Sequence, residues 1–339
     1  MDLRSDTVTR PTEAMRKVMA TAEVGDDIYG DDPSINRLEA WAAERHGFEA
    51  ALFATSGTQT NLLGLIAQCQ RGDEYIVGLE AHTYKYEGGG AAVLGSIQPQ
   101  PIPMNAFGGL DADAVEAVIK PEDPHFARSK LVTVENTQHG RVLPQTQIDD
   151  LRALCQRRGL IFHLDGARAY NAAVKLDIDI ADLLQPFDSA SICLSKGLGA
   201  PVGSLLLGSA AMIKEARKWR KMLGGGWRQG GILAAAAHHA LEHHVELLQQ
   251  DHEHAVLLAS LLDESAALRI NQGWLQTNMV WCELSDVDTD KLTALAKEAG
   301  LLISPRGNSM RLVTHLNLTR SDIERSAQII NQSMHALAS

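Results

Sequence analysis

Apolar and polar positions follow two rhythms along this chain. Short apolar runs fall at 50–54, 75–77, 131–134, 160–164, 190–194 and 204–207. Each has the length of a strand buried on both faces. Longer stretches with helical spacing separate most of them, the first over 60–70. Strands alternating with helices predict an α/β fold with a mostly parallel central sheet flanked by helices. Ligands of such sheets bind beyond the carboxyl ends of the strands.

The rhythm changes after Gly230. One helix-rich stretch runs to about Leu262, followed by a strand at 278–284, a helix at 290–299, a strand at 310–315 and a last helix from Ser321. This predicts a large domain over 1–250 and a smaller C-terminal α/β domain over 251–339, joined rigidly by the long helix near residue 250. There is no internal repeat and no low-complexity linker.

Composition narrows the function classes. The chain has 339 residues, 45% of them hydrophobic, and a formal net charge of -11. That balance argues against nucleic acid or an anionic membrane surface as the main partner. No apolar run reaches the roughly 20 residues of a membrane span, and Met1 to Asp6 lack the apolar stretch of a signal peptide. Cys69, Cys155, Cys193 and Cys282 are scattered without a CxxC pair, so they read as buried thiols of a cytoplasmic protein.

Four features carry chemistry. Lys196 follows an apolar strand in Leu194-Ser195-Lys196-Gly197. A lysine facing a cleft there loses its proton more readily, because desolvation disfavours the ammonium, as Schiff-base chemistry requires. A solvated strand-edge lysine is the ordinary alternative. Asp165 closes another apolar strand in Leu164-Asp165-Gly166-Ala167-Arg168, 31 positions earlier. A buried carboxylate there can hold a pyridine nitrogen protonated, or merely cap the next helix. Thr55-Ser56-Gly57-Thr58-Gln59 places small residues at a helix start, where free backbone N–H groups favour an anion. Ala81-His82 follows the strand at 75–77, so its imidazole can cover a cofactor ring.

These features together resemble the aspartate-aminotransferase-like fold of pyridoxal-phosphate enzymes, fold type I. The resemblance narrows through Asp2-Leu3-Arg4-Ser5-Asp6-Thr7-Val8-Thr9, Val24-Gly25-Asp26-Asp27, Tyr29-Gly30-Asp31-Asp32-Pro33, the run from His163 to Arg168, the run from Cys193 to Gly203, and Arg311-Leu312-Val313-Thr314-His315. These motifs span nearly the whole chain and are similar to those of the bacterial low-specificity L-threonine aldolases. The resemblance implies pyridoxal 5'-phosphate as cofactor and retro-aldol cleavage of β-hydroxy-α-amino acids to glycine and an aldehyde. It makes Lys196 the cofactor lysine, Asp165 the partner of the pyridine nitrogen and His82 the group on the ring face. Ser56, Gly57 and Thr58 become the phosphate cup, Arg168 sits near the cofactor ring oxygen, and Arg168, Ser5 and Arg311 form the carboxylate site, where a planar guanidinium offers two parallel bonds. Lys221 and Arg228 are implied as phosphate-side contacts from a neighbouring subunit of a homotetramer, a dimer of dimers. His82 and His125 are the candidate bases, with His125 beside the β-hydroxyl.

Some features stand apart. His239-Ala240-Leu241-Glu242-His243 matches the HxxEH metal pattern. It lacks the further ligand such a zinc site needs and reads as a polar helix face, so no metal is expected. Gln138-His139-Gly140-Arg141 stands where the family often has His-Asn-Gly-Lys, and Trp227 replaces a common methionine. The triple glycines at 88–90 and 224–226 predict close backbone approach. A β-eliminating lyase or an aminotransferase on the same scaffold remains the alternative function.

Overall fold

The structure, a computed structural model, describes residues 1–338. Its central sheet has seven strands: β1 (Ala50–Ala54), β2 (Asp73–Gly78), β3 (Gln98–Ile102), β4 (Arg128–Glu135), β5 (Ile161–Gly166), β6 (Ser189–Cys193) and β7 (Ser204–Gly208). Their order is β1-β7-β6-β5-β4-β2-β3. The pairs β2–β3, β2–β4, β4–β5 and β5–β6 are parallel. Strand β7 runs antiparallel to both β1 and β6. Only a short loop carrying Lys196 joins β6 to β7, too short for the crossover a parallel pair needs. Every residue of β2, β6 and β7 is buried, because helices cover both faces.

Two strands escaped the hydrophobic pattern. Strand β3 reads Gln-Pro-Gln-Pro-Ile. Its two prolines are tolerated because it is an edge strand bonded to β2 alone. Strand β8 (Leu268–Ile270) has three residues and borders a second, antiparallel sheet with β9 (Met279–Leu284) and β10 (Ser309–Val313). The helix-rich stretch after Gly230 is also two helices, Gly231–His243 and Leu247–Leu261. The break carries neither glycine nor proline. It follows a tertiary contact, in which His244 Nδ1 bonds the Leu198 carbonyl at 2.8 Å.

The second sheet has its own apolar core, including Leu258, Val280, Leu312 and Ile330. Leu3 from the N-terminal segment belongs to this core. Its N–H donates to Leu302 O at 2.9 Å, and its carbonyl accepts from Val313 N at 2.9 Å. The glycine runs divide differently from expectation. Gly88 and Gly89 take positive φ angles of 64° and 68° with open space around them. At Gly225 and Gly226 a Cβ would lie 2.7 Å from side-chain atoms, so close approach rules there. All four cysteines are free and buried. Among the described residues no helix is long and apolar enough to cross a membrane.

Candidate active site

A cavity of about 640 Å³ opens where the carboxyl ends of the central strands meet the second sheet. Ser5, His82, Arg168, Lys196 and Arg311 all line it. They come from five separate segments, and each is held by a different local device.

Lys196 sits in the loop after β6. Its carbonyl accepts from Thr9 Oγ1 at 3.0 Å, so the N-terminal segment straps the lysine loop in place. Ser5 caps a single 3-10 turn over Asp6–Val8, and its Oγ accepts from Thr7 N at 3.2 Å. Arg168 follows β5 and is buried against Asp6. Its Nε and one terminal nitrogen donate to the two carboxylate oxygens at 2.7 and 2.6 Å. That bidentate pair holds the Asp6 carboxyl well below the usual carboxylate range, despite full burial. Arg311 lies on β10, donates to Arg4 O at 3.2 Å and faces Trp281. Burial, with Arg168 nearby, pushes its pKa down.

Asp165 ends β5 in the ladder position beside Glu135 of β4. It is 1% exposed. One carboxylate oxygen accepts from Ala167 N at 3.1 Å and the other from Asn61 Nδ2 at 2.9 Å. Burial, then the Asp165 charge, pushes the Glu135 carboxyl up to about 7. Glu135 also accepts from the backbone N–H of His82 at 3.0 Å. His82 Nδ1 lies 2.7 Å from Glu87 Oε1. That hydrogen bond raises the pKa of His82, and burial raises that of Glu87.

Ser56, Gly57 and Thr58 open the helix Gly57–Ile66. Its first ladder bond runs from Thr60 N to Ser56 O, and Ser56 Oγ takes Gln59 N. The amides of Gly57 and Thr58 therefore precede the ladder. A Cβ on Gly57 would lie 3.8 Å from Cys193 Cβ, which places this helix start beside the end of β6. An amine, a buried carboxylate, an imidazole and a helix N-terminus thus converge on one sheet edge. This donor set fits a phosphorylated pyridine aldehyde.

Other expected residues lie elsewhere. His125 is not among the residues that line the cavity of its own chain. Its side chain is 86% exposed and its Nδ1 pairs with Asp123 at 2.6 Å. It follows Pro124 on a loop whose residues 121–126 are all exposed. Lys221 lies in the last turn of the helix Ala210–Met222, and Arg228 pairs with Asp26 at 3.0 Å. Neither lines the cavity. His239 and His243 pack ring to ring at 4.5 Å, away from it. Among the described residues the one group of three side chains close enough to share a metal ion is His82, Glu87 and Asp165.

Sequence reasoning missed Asp6, Asn61, Glu87 and Glu135. Asp6 lay inside a quoted motif. Glu135 closes a strand just as Asp165 does, a signal that was readable. Asn61 and Glu87 carried none. The departure at 138–141 also reaches the site. Gln138 and His139 line the cavity with Trp281, while Arg141 stacks on Trp274 at 4.0 Å.

A sequence profile described as Beta-eliminating lyase matches residues 2–285. The low specificity L-threonine aldolase of Escherichia coli O157:H7 is 50% identical over 327 residues, covering 96% of this chain and 97% of its own. Low-specificity L-threonine aldolase 1 of Arabidopsis thaliana is 41% identical over 347 residues, covering 98% of this chain and 96% of its own. Among solved structures, a Leishmania major threonine aldolase aligns with a TM-score of 0.82 and 21% identity, covering 98% of each chain. That last likeness speaks for the fold.

Proposed function

The chain belongs to the beta-eliminating lyase family and, within it, to the low-specificity L-threonine aldolases, and from that premise we propose how its cavity works. It is a pyridoxal-phosphate lyase of fold type I that cleaves L-threonine to glycine and acetaldehyde. L-allo-threonine and phenylserine are the further substrates proposed. The observation that carries the reading is the meeting of Lys196, Arg168 and Arg311 in one cavity beside the strand end that bears Asp165.

Bound pyridoxal phosphate supplies an electron sink for the pair released when Cα–Cβ breaks. Lys196 would hold its aldehyde carbon, Asp165 would keep its ring nitrogen charged, and the amides of Gly57 and Thr58 with Ser56 would take its phosphate. The protein's own residues do the rest. Arg311, the remaining Arg168 nitrogen and Ser5 hold the α-carboxylate. That grip decides which bond to Cα is weakened, because only the bond perpendicular to the ring overlaps its π system. His82 takes the β-hydroxyl proton.

Lys221 and Arg228 act, in this proposal, on the cofactor phosphate of a neighbouring copy. The working unit is then a dimer, and the assembly a homotetramer. The division into lobes at 1–250 and 251–339 is likewise proposed, with Leu3 lending the small lobe its N-terminal strap. A cytoplasmic location and a place in glycine formation complete the proposal.

The test feeds L-threonine to the cofactor-loaded protein and measures acetaldehyde, glycine, ammonia and 2-oxobutyrate. Equal yields of acetaldehyde and glycine are expected. Ammonia and keto acid without aldehyde would replace the aldolase by a β-eliminating lyase.

A further inference from the structure

Glu87 has been given no role so far, yet its buried side chain, 5% exposed, touches both His82 and Asn61. Its Oε1 lies 2.7 Å from His82 Nδ1 and accepts from Asn61 Nδ2 at 2.8 Å. The same Asn61 nitrogen donates to Asp165 Oδ2 at 2.9 Å. Asn61 Oδ1 in turn accepts from the Ser191 hydroxyl, so the amide is oriented and its nitrogen must face the two acids. From this geometry we propose that Glu87 is a positioning residue that keeps the proton of neutral His82 on Nδ1. The Nε2 lone pair is then left for the substrate's β-hydroxyl.

The reasoning is tautomeric. A neutral imidazole has one donor and one acceptor nitrogen, and a carboxylate accepts only. Beside Glu87, Nδ1 must donate, so Nε2 must accept. The proton transfer balances. The hydroxyl proton passes to Nε2, the O–H pair becomes the second bond of the aldehyde carbonyl, and the Cα–Cβ pair stays with Cα. His82, now protonated on both nitrogens and carrying one positive charge, faces the Glu87 carboxylate until one proton is returned overall as Cα becomes the CH2 of glycine.

Groups from every neighbouring segment face this pair. Asp165 on β5 lies within 4.8 Å, Glu135 on β4 holds the His82 backbone, and the Tyr86 ring tilts over His82 at 5.8 Å. A divalent cation would need the same three ligands, but the Asn61 N–H group wedged between the two carboxylates presents hydrogen where a metal would sit.

The proposal rests on the aldolase reading, so its test includes a measurement that needs no turnover. The full-length protein is labelled with ¹⁵N-histidine, and Glu87→Gln, Glu87→Asp and His82→Gln variants are compared, the last assigning the signal. In wild type the His82 signal should show Nδ1–H and titrate above free histidine. Glu87→Gln should lower the midpoint and mix the tautomers, while Glu87→Asp restores both in part. In turnover, Glu87→Gln should cost about tenfold or more in kcat with KM little changed. It should move the acidic limb of kcat/KM to lower pH, because an unpaired His82 loses its proton more easily. Glu87→Gln on a His82→Gln background should cost nothing further. An unchanged tautomer and midpoint, or fully additive losses, would overturn the proposal, as would activity that chelators abolish and zinc restores. A wild type with the expected tautomer and no aldolase activity sinks the functional reading alone.

Discussion

The two walls of the cavity differ in how their side chains are held. On the wall made by the central sheet, Asp165 and Glu135 sit side by side on parallel strand ends, and His82 hangs between Glu135 and one further acid, Glu87. The acids are buried, His82 is partly exposed, and all are locked by hydrogen bonds. The opposite wall, from β9, β10 and the N-terminal segment, presents Arg311, Trp281, Arg306 and Ser5. None of its groups is fully buried, and Arg311 leans on the Trp281 face. Charge that must appear and vanish during a reaction needs the first kind of setting, because preorganised groups in a dry site cost little reorganisation. Grip on a carboxylate can be supplied by the second kind. The ion pair of Asp6 with Arg168 joins the walls, since Leu3 of the same strap lies in the second core.

Lys196→Ala should break the first wall most completely. Visible absorbance of the loaded protein should disappear and kcat should fall by about 10⁴ or more. A variant that kept its colour and turnover would remove Lys196 from the chemistry. Asp6→Asn attacks the joint. It leaves Arg168 buried without its counter-charge, so stability should drop by about 3–5 kcal/mol in urea unfolding. A loss confined to activity would show that the joint serves the chemistry alone.

Arg311→Lys sharpens the contrast, because it should weaken the grip while sparing the absorbance. The expected loss is about 2–4 kcal/mol in kcat/KM, through loss of a two-pronged charged contact. An altered spectrum would mean that the two walls are not separable.

Asp251→Asn probes behind the joint. Burial, then the Asp6 charge, pushes the Asp251 carboxyl up to about 8. A raised carboxyl pKa favours the folded state at low pH and withdraws that stability as pH rises toward 8. The asparagine variant should therefore match wild type near pH 4 and gain about 1–3 kcal/mol over it by pH 9. Melting curves at both pH values decide this, and a gap that does not widen with pH would refute it.

Much of the first wall was legible from residue order. A lysine and an aspartate closing apolar strands already pointed to one sheet edge, because parallel strands end together. The hydrophobic rhythm found six of the seven central strands and failed at β3, where edge position excuses two prolines. It also ran one helix through His244, since the bond that ends the helix comes from Leu198, 46 positions away. His125 was placed by motif position, and in the single chain it lies on an exposed loop outside the cavity.

Residue types and their spacing by themselves determined the covered sheet and the lysine and aspartate at the ends of its strands. Local propensity and burial are written in the chain, so such features can be read from it. Folding alone decided that Asp6 meets Arg168 and that Glu87 reaches both His82 and, through Asn61, Asp165. Those contacts join residues up to 162 positions apart. A hydrogen bond is fixed by distance and direction in space, and no spacing along the chain encodes either.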